Sequence, residues 1–234
     1  MMKVLGVGAH PDDIEIFCGG TMAKYAERGD ELTVAYVTDG QMGHPTLPPQ
    51  EISAIRREEA RAACDILGAE MIWLGFQDEF FFYNEESRIA FIDMIRRVGP
   101  DVIITHYPDF FSGDHTGVGQ QANDAAIVVN MPNLKTQHPP VEIPQVYFMD
   151  APAGVGFVPD QYVDITDTFE LKKKLVSCHK SQSEWLEWGY GVDYIELIEI
   201  VARFRGLQAG VRYAEGFKRV KRAFMGNITG DLLP

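Results

Sequence analysis

The stretch GAHPDDIEIFCGGT, residues 8 to 21, places His10 beside two adjacent carboxylates, Asp12 and Asp13, in the turn after the first apolar run. Two neighbouring acids repel one another unless a cation lies between them, and a divalent ion is the usual remedy. Helix capping is the simpler reading, because Asp is favoured at an N-cap and contributes about 1 kcal/mol there. A cap accounts for one carboxylate only. His10 and Asp13 stand three apart across a turn and can converge on one point, with Asp12 beside it. A hydrolytic zinc site uses about three protein ligands, commonly two histidines and a carboxylate, and keeps a position open for water. His115, in SGDHTG, is the best candidate for the remaining ligand, with Asp114 placed to orient a neighbouring group. Alone it would read as an ordinary loop histidine. Gly6 and Gly8 also match the first two glycines of a dinucleotide fingerprint, but Pro11 stands at the third position. Proline offers no amide hydrogen, and two carboxylates after it would repel a pyrophosphate, so nucleotide binding is disfavoured.

These residues must be positioned by elements that end together. KVLGVGA (3 to 9), ELTVAYVT (31 to 38), EMIWLG (70 to 75), DVIITH (101 to 106) and QVYFMD (145 to 150) have the length and the branched or aromatic content of strands. Helical patterns fill the gaps: one stops at Gly29, one at Gly68, one runs from a capping Asn84 to Gly99, and one spans about 115 to 130. This alternation predicts an α/β fold, a Rossmann-like three-layer sandwich with a mostly parallel sheet. The binding crevice then lies at the carboxyl ends of the strands. HPDD, TDG (38 to 40), QDE (77 to 79) and THYPDFFSGDH (105 to 115) all fall there. After Asp150 a Gly/Pro-containing connection leads to a helix through about Gln182, a second helix over YIELIEIVARFR, and a terminal GVRYAEGFKRV. The expectation is one domain over 1–234, with residues 1–150 as core and 151–234 as a C-terminal extension forming part of the pocket wall.

Composition narrows the partners. The 234 residues are 46% hydrophobic, enough for one sizeable core, and carry a formal net charge of -13. That charge disfavours a nucleic-acid partner, which needs clustered Lys and Arg. No run of about 18 apolar residues and no signal-peptide pattern is present, so the expectation is a cytoplasmic protein without a membrane role. Cys18, Cys64 and Cys178 are odd in number and widely spaced, which encodes neither a disulfide framework nor a thiolate zinc site.

AHPDDIEIFCGGT resembles the first motif of the PIG-L/LmbE family of zinc-dependent de-N-acetylases, and looks especially like its bacillithiol-biosynthesis branch. IRREEARAACDILGA is similar to the family's R-x-x-E helix, CHKSQ to a segment near its C-terminus, and GVRYAEGF to a common ending. The resemblance implies that His10, Asp13 and His115 hold zinc, with Asp12 as general base toward a metal-activated water. It implies a substrate contact for Arg56, an orienting role for Asp114, and a pocket position for His179. Read from its residues alone, Arg56 is equally well a surface arginine paired with Glu59 on its helix. One position departs from the family: Ser112 stands where HxDH usually has its first histidine, the group held to stabilise the oxyanion or protonate the leaving amine. Ser112 can donate a hydrogen bond but brings no charge. His106 or His179 are the candidates for that role.

The reading favoured by these residues is an amidase that removes an acetyl group from an N-acetylated amino sugar or related small molecule. The alternative is a hydratase or lyase acting on an unsaturated oxo-dicarboxylic acid, whose carboxylates Arg56, Arg57 or His106 would pair. A third reading is a binding module with a remnant site, against which the retained Asp12 speaks. Two histidines and a carboxylate suit zinc first, with iron, cobalt or manganese as other occupants. QDEFFFYNEE reads as core or subunit interface more than as a sugar platform, and Trp185, Trp188 and Tyr190 are candidates for a pocket rim. His44 and His138 read as surface-loop residues, and the aromatic content together with the family's habit points to a homo-oligomer.

Overall fold

Apolar runs and amphipathic segments alternate through the first two thirds of the chain, and the elements follow that alternation. The structure is a computed structural model that describes residues 1–109, 112–222 and 230–234, so Phe110 and Phe111 of the THYPDFFSGDH segment lie outside it. Strand β1 (Lys3–Gly8) is followed by α1 (Asp13–Glu27), β2 (Glu31–Thr38), α2 (Pro49–Leu67), β3 (Glu70–Phe76), α3 (Glu85–Val98), β4 (Val102–His106), α4 (Gly113–Val128) and β5 (Gln145–Met149). Sheet order is β3-β2-β1-β4-β5, all parallel. Alternate side chains go to opposite faces: Val4 and Ile104 pack with α1 and α2, Leu5 and Ile103 with α3 and α4. Asn84 caps α3 through a reciprocal pair of 3.0 Å bonds with Ser87, and Gly99 ends that helix in the left-handed conformation.

The C-terminal part does more than wall the pocket. It supplies β6 (Gln161–Asp164), α5 (Phe169–Val176), α6 (Lys180–Tyr190), α7 (Tyr194–Ala209) and β7 (Ala214–Arg219). Strand β7 pairs antiparallel with both β5 and β6, giving a seven-stranded sheet in an α/β fold. These two strands cover the edge that β5 would otherwise leave unpaired. The single helix expected through Gln182 is two. Helix α5 ends at Val176 with Ser177 as its C-cap, and the Ser181 amide and hydroxyl bond to the Glu59 carboxylate at 2.9 and 2.6 Å, so the chain starts a new helix with His179 turned inward.

Helix α1 is broken at Cys18, whose φ/ψ of -143°/17° are not helical. The break frees the amides of Gly20 and Thr21, which donate to the Glu215 carboxylate of β7 at 3.0 and 2.7 Å. A helix start carries a partial positive charge, and a buried carboxylate completes it. Gly20 is required there, since a Cβ would stand 2.8 Å from the Ile165 side chain. The turn bearing HPDD is thus anchored from behind by the C-terminal strand.

Candidate metal centre and its cleft

Strand order reverses between β1 and β4, so the connections leaving their carboxyl ends diverge and open a crevice. The HPDD turn follows β1, and the first turn of α4 follows β4. One donor atom each from His10, Asp13 and His115 lies within 4.8 Å of the others. His10 Nδ1 faces His115 Nε2 at 2.9 Å, and Asp13 Oδ1 is 3.2 Å from that same nitrogen. Two imidazole nitrogens facing each other this closely need a proton or a cation between them, so the donor set fits a metal. Burial opposes charge on Asp13, yet His115 and His106 hold its carboxyl well below the usual range. Burial likewise opposes charge on His10, but hydrogen bonds to Asp114 and Asp78 and the nearby Asp13 carry it up to about 10.

His10 Nε2 lies 3.1 Å from Asp78 Oδ1 and 3.4 Å from Asp114 Oδ2, leaving Nδ1 toward the other donors. Asp78 Oδ2 accepts the Met42 amide at 2.9 Å, and Asp114 accepts the Glu79 and Phe81 amides at 2.8 and 3.2 Å. Those two carboxylates are held by backbone and in turn hold the ring, the arrangement that orients a ligating histidine. Asp78 stands in the QDE segment at the end of β3, and only its place at a strand end marked it in the sequence.

Asp12 answers the question of the second carboxylate. It precedes α1 with φ 151°, an uncommon conformation for a residue other than glycine, and its side chain makes no capping bond. Its Oδ1 lies 3.3 Å from Arg56 Nη2, and Oδ2 accepts the Tyr194 hydroxyl. Burial pushes the Asp12 carboxyl up, with the Asp13 charge adding to it and Arg56 and Tyr194 working against it. Arg56 is buried, donates to the carbonyls of Gly40 and Pro11 at 3.1 Å each, and keeps Nε without a partner among the described residues. It makes no pair with Glu59. The sequence carried a signal for this: Ile52, Arg56, Ala60, Ala63 and Leu67 form one buried stripe of α2, and Arg57 lies off it. Tyr194 had no such signal, because its partner is 182 residues away.

The remaining candidates stand behind or beside the cleft. His106 is buried, its ring stacked on His115 with centroids 4.3 Å apart. The Ala9 amide donates to its Nε2 at 3.0 Å, and the same nitrogen lies 3.0 Å from Asp13 Oδ2. Burial pulls this imidazole down to about 4, with the nearby Asp13 carboxylate working against it. His179 is fully buried, with Nε2 3.5 Å from Glu15 Oε2 and neither ring nitrogen hydrogen-bonded among the described residues. Glu15 in turn accepts the Tyr36 hydroxyl at 2.5 Å. Ser112 begins α4, its carbonyl accepting the Thr116 amide at 3.1 Å. None of His106, His179 and Ser112 is among the described residues lining the cleft.

The open cleft has a volume of about 270 Å³ and is lined by the metal-site residues with Asp12, Arg56, Asp78, Glu79, Met42 and Gln182, and by Trp185, Tyr190 and Tyr194. Trp188 stacks on Trp185 outside it, and Phe81 is buried against Phe76 and Phe91. No helix among the described residues is long and apolar enough to cross a membrane.

Two histidines and a carboxylate at the ends of parallel strands, with a further carboxylate held beside them, are a donor set suited to a metal-dependent enzyme. Residues 5–126, more than half the chain, match the family described as GlcNAc-PI de-N-acetylase, and the chain belongs to this PIG-L/LmbE family of de-N-acetylases. It is 30% identical to diacetylchitobiose deacetylase from Thermococcus kodakarensis, over 95% of this chain and 85% of that protein. It is 28% identical to 4-oxalmesaconate hydratase from Pseudomonas putida, over 93% of this chain and 89% of that one. The structure of N,N'-diacetylchitobiose deacetylase from Pyrococcus horikoshii superposes with a TM-score of 0.83 at 30% identity, covering 94% of this chain and 84% of that chain. The 4-carboxy-2-hydroxymuconate hydratase from P. putida KT2440 gives the same TM-score at 26% identity, over 98% and 100% of the two chains.

Proposed function

We propose that this protein hydrolyses the amide of an N-acylated amino sugar or related small molecule, with zinc held by His10, Asp13 and His115 and with Asp12 as general base. The observation that carries the reading is the position of Asp12: a carboxylate on the cleft wall, adjacent in the chain to a ligand yet turned away from capping, with both oxygens fixed by Arg56 and Tyr194. Zinc, when bound, supplies an activated water and polarises the amide carbonyl. Asp12 takes the proton of the attacking water, and its raised carboxyl is suited to pass that proton to the leaving nitrogen. Water adds across the C–N bond, giving a carboxylate and an ammonium. Arg56 and Tyr194 keep Asp12 in place, while Asp78 and Asp114 keep His10 in place. His106, stacked against His115, serves as support, and His179 and Ser112 act from outside the cleft. Asp78, Glu79 and Gln182 offer polar groups to sugar hydroxyls.

The hydratase reading is favoured by the two relatives of that kind. A dicarboxylate, however, would find only Arg56, the one Lys or Arg among the described residues lining the cleft, besides the metal itself, in a cleft that also carries Asp12, Asp13, Asp78 and Glu79. Arg57 is exposed against Trp73, and His106 does not reach the cleft. The free cysteines support a reducing, cytoplasmic setting, and exposed Phe80, Phe82, Trp188 and Tyr190 support a homo-oligomer. The test is acetate release from N-acetylated amino sugars by the zinc-loaded protein, beside loss of alkene absorbance from an unsaturated oxo-dicarboxylate. We expect acetate, with Asp12→Asn retaining zinc and losing about 10²–10⁴-fold in rate. Alkene consumption without acetate would reverse the assignment.

A further inference from the structure

A second pocket, partly open and about 80 Å³ in volume, lies beside the metal site between the first turns of α1, helix α7 and the end of β5. It shares Ile16, Phe17 and Tyr194 with the cleft, and Leu197, Ile198 and Ala202 continue it inward. Phe17 meets the ring of His115 edge-on at 6.3 Å, so the shared wall stands against a ligand of the metal site. Ile16 and Phe17 are only partly buried, and Phe17 has an apolar side chain that a rotamer change can move without loss of a hydrogen bond.

Charged residues border this cavity, but their charges are spent. Arg205 pairs bidentately with Asp150 at 2.6 and 2.9 Å and donates further to Phe157 and Gln208. Glu215 is taken by Lys172, Gly20 and Thr21. The surface facing the cavity is almost wholly apolar. An ion entering it would lose its hydration with no counter-charge left to meet it, whereas a hydrocarbon loses nothing. The polar groups suited to a sugar, Asp78, Glu79, Arg56 and Gln182, line the cleft and not the cavity. An acetyl methyl leaves a space of this size empty.

We propose that the cavity is a subsite for a hydrocarbon chain on the acyl side of the scissile amide, so that the substrate is an N-acyl amino sugar with an acyl chain longer than acetyl. The assignment rests on the amide-hydrolysis reading above: water adds across the same C–N bond, and the products become a fatty carboxylate and the free amino sugar as its ammonium.

The test uses the zinc-loaded full chain and N-acetyl-, N-butyryl-, N-hexanoyl- and N-octanoylglucosamine, with free amine as readout. Each methylene that enters the cavity raises kcat/KM by about fourfold, so hexanoyl exceeds acetyl by at least roughly tenfold. Val201→Trp, which narrows the cavity away from the metal site, removes that gain and leaves acetyl hydrolysis within about twofold. Cleavage of the acetyl compound with no gain along the series overturns the proposal. A gain for octyl N-acetylglucosaminide in place of the octanoyl amide places the chain on the glycosidic side and overturns the acyl assignment. Release of amine from none of them is the failure of the hydrolysis reading itself. Calorimetric binding of octanoate against acetate then decides the cavity separately: octanoate at least tenfold tighter in the wild type and not in Val201→Trp is expected, and equal affinities overturn the subsite.

Discussion

The three ionisable side chains of HPDD divide the work by where their lone pairs point. Asp13 gives one oxygen to the ligand set, while its other accepts the His10 amide at 2.7 Å and faces His106. Asp12 is released from the helix start and given to Arg56 and Tyr194. In the metal-free protein His10 keeps its proton to about 10, held by Asp78 and Asp114 against burial. A metal takes the place of that proton, so affinity must rise with pH through the neutral range, by about tenfold per unit below the His10 value. Zinc titrations in buffers of differing ionisation enthalpy should show a proton released at neutral pH. His10→Ala should show neither that release nor retained zinc.

At the scale of elements, two contacts place the ligand-bearing segments. The break in α1 is held by Glu215, whose own charge is met by Lys172, both buried. Glu215→Ala leaves a buried ammonium alone and should cost about 3–5 kcal/mol in urea unfolding, with Lys172→Met on top restoring part of it. Helix α4 sits hard on β4: a Cβ on Gly119 would stand 2.2 Å from the His106 carbonyl oxygen. Gly119→Ala must therefore lift α4 and carry His115 away from His10 and Asp13. We expect it to lower stability and zinc content together, readable by a melting curve and metal analysis on one preparation.

For the whole molecule, the metal is expected to act as part of the fold, because its ligands come from the ends of two strands, β1 and β4, that are sheet neighbours but some hundred residues apart in sequence. A ligand present at about 100 times its dissociation constant stabilises the native state by about 2.7 kcal/mol. For a chain of this size that corresponds to a melting temperature about 5–10 °C higher than after chelation. An unchanged melting temperature on chelation, with zinc shown to leave, would mean that the site does not bind metal in the folded state alone. The same sheet carries β6 and β7, so the C-terminal segment contributes both to the core and, through Tyr194, Trp185 and Tyr190, to the cleft.

Much of this was legible beforehand for a physical reason. Strand and helix periodicity, glycine stops and the Asn84 cap are local properties, and so is the spacing that lets His10 and Asp13 meet across one turn. The parallel sheet follows from alternation, and the sheet places every candidate loop at one edge. Contacts between distant segments were not legible. Nothing near Tyr194 announces Asp12, nothing near Glu215 announces the amides of Gly20 and Thr21, and Asp78 was one acid among several at a strand end until the fold set it against His10. The split between α5 and α6 belongs to the same class, since Glu59 on α2 supplies the group that starts the second helix. Local chemistry thus pointed to a turn after the first strand in which His10 and Asp13 can meet as candidate metal ligands, with Asp12 beside them. Only the tertiary structure decided what fixes each of the two carboxylates, because that is done by Arg56 and Tyr194 on Asp12 and by His106 and His115 on Asp13, all brought in from other elements.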